Sequence, residues 1–241
     1  MARIAGMLYL GIFVTFGFAE FLARGRLVVP GDRAATAANI LAHESLYRFG
    51  GAAYLLSFVF DTALALLFYE LLKPVSTSLS LLSAFFRLMH VAISTVATLS
   101  DFAPLTFLAG AQGVNAFNAQ QLQQLAQVSL RLHTLGYTAA LLFFGFACVC
   151  LGYLIIRSTF LPRLLGVLMA LAGLCYVGNS FASFVAPAFA RPILPWVLLL
   201  TGVPAELGLT VWLLVKGVNA ERWREQASGG AGSLPSRPFD T

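Results

Sequence analysis

The sequence predicts an all-α fold, a membrane bundle of six transmembrane helices with two amphipathic helices on its outer side. Three observations predict it. Of 241 residues, 59% are hydrophobic and 10% charged, with a mean hydropathy of +0.83, far more apolar than a soluble domain of this length. The apolar residues gather into six runs, each close to the roughly 20 residues that a helix needs to cross a hydrocarbon core about 30 Å thick. The short alternating strands of a barrel do not occur.

The first run, about 4–23, follows Arg3 and has the flavour of a secretory leader. It is as long as a full span and lacks a small-x-small cleavage site, so a retained first helix is expected. The link "LVVPGDRAATAANILAHESLYRFGG" is too patterned for a plain turn. Asp32 suits a helix N-cap, and Ala37, Ile40, Leu41 and Tyr47 can share a face, which predicts an amphipathic helix over 33–48. Gly50 and Gly51 are expected to separate it from the second span, about 49–72. The third span, about 78–99, follows the short link "KPVSTS".

A second amphipathic helix is expected at 119–131, where Asn118 can cap "NAQQLQQLAQVSLRLH" and Leu122, Leu125, Ala126 and Leu132 oppose a glutamine-rich face. It would lie in the interface or over the bundle mouth. Spans four to six follow at about 132–156, 164–186 and 193–215. The short inner links predict that helices two and three, and four and five, are antiparallel neighbours. Residues 1–218 thus form one membrane domain, and the polar, Gly/Ser/Pro-rich stretch 219–241 reads as a disordered cytoplasmic tail. No internal repeat is present.

Eight basic residues, among them Arg3, Lys73, Arg157, Arg163 and Lys216, flank the side that holds both termini, against six on the other side. The positive-inside rule then places both termini in the cytoplasm of a cell with this protein in its inner membrane. Basic residues beside anionic lipid account for the net charge of +5, so the lipid bilayer is the expected partner and no nucleic acid is implied. Cys148, Cys150 and Cys175 fall within spans, without zinc or redox spacing, and read as small packing residues.

The strings "VVPGDRAATAANILAHESLYRFG", "FDTALALLFYELLKPVSTSLSLLSAFFRL", "LHTLGYTAALLFFG" and "RSTFLPRLLGVLMALAGLCY" together resemble the bacterial integral membrane family known as domain-of-unknown-function family 4386. The resemblance runs from Arg3 to about Val218. It implies a compact six-span bundle, acidic or polar residues at Asp61, Arg87, His133 and Glu206, and no assigned activity. It implies no fixed identity at His90 and Asn179.

The residues that stand out are charges inside the spans. At about 1.5 Å per residue, Asp61, Arg87 and Glu206 lie roughly 16, 13 and 14 Å from the inner ends of helices two, three and six. A charge at that depth costs several kcal/mol unless paired or wetted, so Arg87 is expected to pair with both carboxylates. His90 lies one turn from Arg87 on the same face. Beside Glu206, Pro204 removes a backbone donor between Gly202 and Gly208, which predicts a broken helix lining a wet site. His133 beside Tyr137 and the deeper Asn179 complete the candidate ligand-binding set nearer the outer face.

Neither metal nor cofactor is expected: His43, His90 and His133 lack ligand spacing, and no phosphate loop, GxSxG or HExxH occurs. The leading expectation is a protein that binds a small or amphiphilic ligand, a proton or an ion in a mid-membrane polar cavity. An intramembrane enzyme using His90 and a carboxylate on a lipid-like substrate is the alternative, as is a structural or partner-binding role. A homo-oligomer is compatible with all three.

Overall fold

The computed structural model describes residues 1–108 and 117–231, with the side chains of 191–195 and 229–231 excepted. The chain forms α1 (Ala2–Leu27), α2 (Arg33–Ala42), α3 (Glu44–Leu72), α4 (Thr77–Leu108), α5 (Ala119–Arg157), α6 (Arg163–Val185), α7 (Pro187–Val215) and α8 (Ala220–Ala231). Six of these, α1 and α3 to α7, are long and apolar enough to cross a membrane, α7 through its Trp196–Val215 part.

Their packing follows chain order and closes on itself. Each of α3 to α7 packs on its sequence neighbours, and α1 packs on both α3 and α7. The result is a ring of six rather than two layers. Large apolar side chains such as Met7, Val14, Val59, Val96, Leu174 and Val211 are exposed around the outside, the distribution expected of a surface wetted by lipid. The main core lies at the end of the ring holding the N-terminus, with Leu64, Leu72, Leu154, Met169, Leu209 and Leu213 fully buried.

Close backbone contact binds α5 to α6. A Cβ on Gly152 would stand 2.5 Å from Gly166 O and Ala170 N, and one on Gly173 would stand 2.6 Å from Gly145 O. Glycines seven residues apart on each helix therefore face each other in an antiparallel register. The α4–α5 seam is pinned differently, by a reciprocal pair of histidines. The His90 ring meets Ala140 O through Nδ1 at 3.2 Å, and the His133 ring meets Ala97 O through Nδ1 at 3.2 Å.

Two expected boundaries differ. The helix over 33–48 divides at His43, so its last residues begin α3; α2 starts as expected, with Asp32 accepting from Ala35 N–H at 2.9 Å. Gly50 and Gly51 do not break the chain because they sit inside α3 as close-approach points: a Cβ on Gly51 would meet Phe102 Cζ at 2.1 Å. The stretch 119–131 is the first part of the 39-residue α5 rather than a separate helix. Asn118 does cap it, in a reciprocal box with Gln121, and no glycine or proline intervenes to stop the helix before the span.

The stretch expected to be a disordered tail opens as α8, which is docked. Trp223 Nε1–H donates to Leu71 O at 2.8 Å, and Gln226 Oε1 accepts from Thr159 N–H at 3.0 Å. The rest of that tail, 232–241, lies outside the described residues. All three cysteines are free, Cys148 buried and the others half-buried.

Candidate functional site

Arg87 and Asp61 meet because α3 and α4 are neighbours in the ring. Arg87 Nε and one Nη both stand 2.6 Å from Asp61 Oδ1, with Arg87 3% and Asp61 5% exposed. Three aromatic rings surround the guanidinium, those of Tyr9 at 5.2 Å, Phe144 at 5.3 Å and Phe68 at 5.5 Å. A desolvated cation gains from the negative faces of such rings, on top of its carboxylate.

Glu206 is not the second partner expected for Arg87. It is on α7, across the ring from α4, and its neighbours α1 and α6 supply its donors. Tyr9 Oη–H donates to Oε2 at 2.9 Å and Tyr176 Oη–H to Oε1 at 2.5 Å. The Tyr9 ring thus lies against Arg87 while its hydroxyl serves Glu206, so the Arg87–Asp61 pair and Glu206 are linked through an aromatic bridge. Gly202 makes room for this arrangement: a Cβ there would fall 2.1 Å from Tyr176 Oη.

The helix around Glu206 is continuous from Pro187 to Val215 and is not broken at Pro204. A proline in a helix forfeits one hydrogen bond without ending the element when neighbouring helices hold it.

Asp61, Arg87, His90 and Glu206 line one cavity of about 590 Å³. Its wall is mostly apolar and rich in aromatic rings, including Phe13, Phe16, Phe58, Tyr137, Phe144 and Tyr176. That volume lies in the range of small-molecule pockets, which are apolar with a few placed polar groups. The tautomer of His90 is set by its surroundings. A carbonyl only accepts, so the bond to Ala140 O requires Nδ1 to carry the hydrogen, which leaves Nε2 of the neutral ring as an acceptor.

The cavity reaches the ring surface between α1 and α7. Near the N-terminal end these helices touch, since a Cβ on Gly6 would meet Leu214 Cγ at 2.8 Å. Farther along, among the described residues, Gly17 lines the cavity with nothing within 4 Å of an added Cβ. Phe21 and Trp196 line it too, yet are 71% and 66% exposed. Here α1 widens into a π-helical stretch over Phe18–Arg24, a deformation that recurs at functional sites. It brings Glu20 to the cavity, where Glu20 accepts from Tyr54 Oη–H.

Beyond this region a second ion pair, missed by sequence reasoning, joins Arg24 to Asp101. Asp101 lies toward the end of α4, yet it is 5% exposed and its backbone carbonyl also accepts from Tyr47. His133 stands beside Tyr137 as expected, its ring stacked at 6.3 Å, but neither it nor Asn179 is among the residues lining the cavity. Asn179 is buried within α6. Tyrosines in mid-span were the overlooked signal, because a buried phenol needs a partner for its hydroxyl. Among the described residues no three His, Cys, Asp or Glu side chains gather as a metal site.

Six apolar helices closed around a cavity with an ionisable floor define a multi-pass membrane protein of unassigned activity. The chain belongs to the family described as domain of unknown function DUF4386, whose model matches residues 4–217. An uncharacterized protein of Archaeoglobus fulgidus is 27% identical over 159 residues, which cover 66% of this chain and 78% of that relative. No solved structure matches the chain.

Proposed function

We propose that the protein binds a small amphiphilic molecule in the cavity between α1 and α7, with the polar end at Asp61, Arg87, His90 and Glu206 and the apolar end toward the lipid. The observation that carries this reading is the cavity itself. The cleft measures about 590 Å³, the size of a small-molecule pocket, and leads from ionisable groups to exposed aromatic side chains. A bundle locked only by its charges has no need of such a space. The arrangement of basic residues supports a cell-membrane location with both termini cytoplasmic.

The test uses Gly17→Trp, which places a large side chain at a cavity-lining position where an added Cβ has nothing within 4 Å. Protein extracted from membranes in a mild detergent is weighed by native mass spectrometry, beside thermal melting to establish folding. Wild type should retain a small molecule that folded Gly17→Trp does not. The same bound mass at equal occupancy in both proteins would refute the proposal.

A further inference from the structure

We infer that the amphiphile is a cation, a lipophilic ammonium whose N–H groups meet Glu206, Asp61 and His90; the inference rests on the ligand-binding reading above. The polar inventory of the cavity carries it. Three carboxylates line the space, Glu20, Asp61 and Glu206, against one guanidinium. That guanidinium already gives Nε and one Nη to Asp61 Oδ1 and is enclosed by three rings.

The hydroxyl protons of Tyr9 and Tyr176 are directed to Glu206, and that of Tyr54 to Glu20. Among the described residues Asp61 Oδ2 accepts no hydrogen bond, and His90 Nε2, the acceptor nitrogen, has no donor. Ser94 Oγ is the sealed polar side-chain atom without a partner among those residues. Asp61 Oδ2 and His90 Nε2 therefore retain contact with open space, although their residues are only 5% and 7% exposed, and both residues line the cavity.

Two donors that line the space, Tyr137 Oη–H and the second Nη of Arg87, have no acceptor among the described residues either, so the unmet groups are of both kinds and the charge balance, three carboxylates against one guanidinium, sets the preference. A primary ammonium offers three donors and a positive charge. The walls suit it as well, because aromatic faces attract desolvated cations. An anionic head could take the remaining Nη of Arg87 but would face three carboxylates. A neutral alcohol would match one acceptor and leave the charge without a counterpart. The tail would follow the aromatic wall past Phe16 to the exposed Phe21 and Trp196.

The test titrates full-length protein in a neutral maltoside detergent with dodecylammonium, dodecanoate or dodecanol, by isothermal calorimetry. Dodecylammonium should saturate at one molecule per chain, with dodecanoate and dodecanol on the order of tenfold weaker or worse, since a hydrogen bond to a charged group is worth about that factor or more. Glu206→Gln should weaken dodecylammonium by about tenfold or more and leave dodecanol nearly unchanged. Should that variant not fold, Glu20→Gln replaces it, with the same direction expected.

Dodecanoate or dodecanol binding as tightly as dodecylammonium, and lost in Gly17→Trp, overturns the cationic assignment and leaves the cavity reading intact. An unchanged dodecylammonium affinity in a folded carboxylate variant also overturns it. Absence of saturable binding by every probe, or binding indifferent to Gly17→Trp, overturns both.

Discussion

The Arg87–Asp61 pair sets the sharpest quantitative expectation for stability. Both partners are nearly sealed, with two nitrogen contacts of 2.6 Å on one carboxylate oxygen. Removing one member strands the other, at a cost of about 3–5 kcal/mol, whereas removing both relieves the stranded charge. Arg87→Met keeps much of the side-chain volume and isolates the electrostatic loss, although it also gives up the contacts with Tyr9, Phe68 and Phe144.

Arg87→Met and Asp61→Asn should each lower the stability by about that amount, and the double variant should fall short of their sum by about 2 kcal/mol or more. In thermal melting, with about 2–4 °C per kcal/mol for a chain of this size, each single change corresponds to roughly 6–20 °C. Arg87→Met combined with Glu206→Gln should show coupling below about 1 kcal/mol, because no hydrogen bond joins those residues and the link passes through the Tyr9 ring. Additive effects in the Asp61 cycle, or a larger coupling to Glu206 than to Asp61, would refute the assignment of partners.

Gly202→Ala should drive the Tyr176 hydroxyl off Glu206 and lower the melting temperature; in the Tyr176→Phe background, where the colliding oxygen is gone, the same change should cost less. Gly152→Ala puts a methyl group 2.5 Å from the α6 backbone, so α5 and α6 must separate and stability should drop by about 1–3 kcal/mol or more, measured by melting in detergent. On a cysteine-free background, Asn118→Cys and Thr159→Cys should label from opposite sides of intact cells, since α5 crosses the membrane between them. Labelling of both from one side would contradict the topology.

The six spans were legible because hydropathy reports the lipid-facing surface directly, and in a ring of single helices every span has one. The boundaries were less so. At Gly50 and Gly51 the local rule for helix breakers competes with close packing against Ala23 and Phe102, and packing wins. The depth calculation brought Asp61, Arg87 and Glu206 to one level but carried no azimuth, so Glu206 was assigned to Arg87 although the closed ring sets it beside Tyr9 and Tyr176. Arg24 and Asp101 were similarly hidden, since each looks like an end residue on its own helix and only the α1 π-helical stretch and the α4 neighbour bring them together. The opening beside α1 and α7 had no signal in the sequence, because it depends on how the first and last spans diverge.

Photoaffinity labelling locates a bound amphiphile residue by residue. Dodecylammonium carrying a diazirine at the end of its tail, photolysed with the protein in nanodiscs and mapped by peptide mass spectrometry, reports where the tail resides. Labelling should concentrate on Phe13, Phe16, Phe21, Trp196 and Leu199, which line the cavity and its exit, and should be suppressed by unlabelled dodecylammonium. Labelling spread evenly over outward-facing residues such as Val14, Val96, Leu174 and Val211, and insensitive to competitor, would show an amphiphile dissolved in the surrounding lipid rather than bound in the cavity.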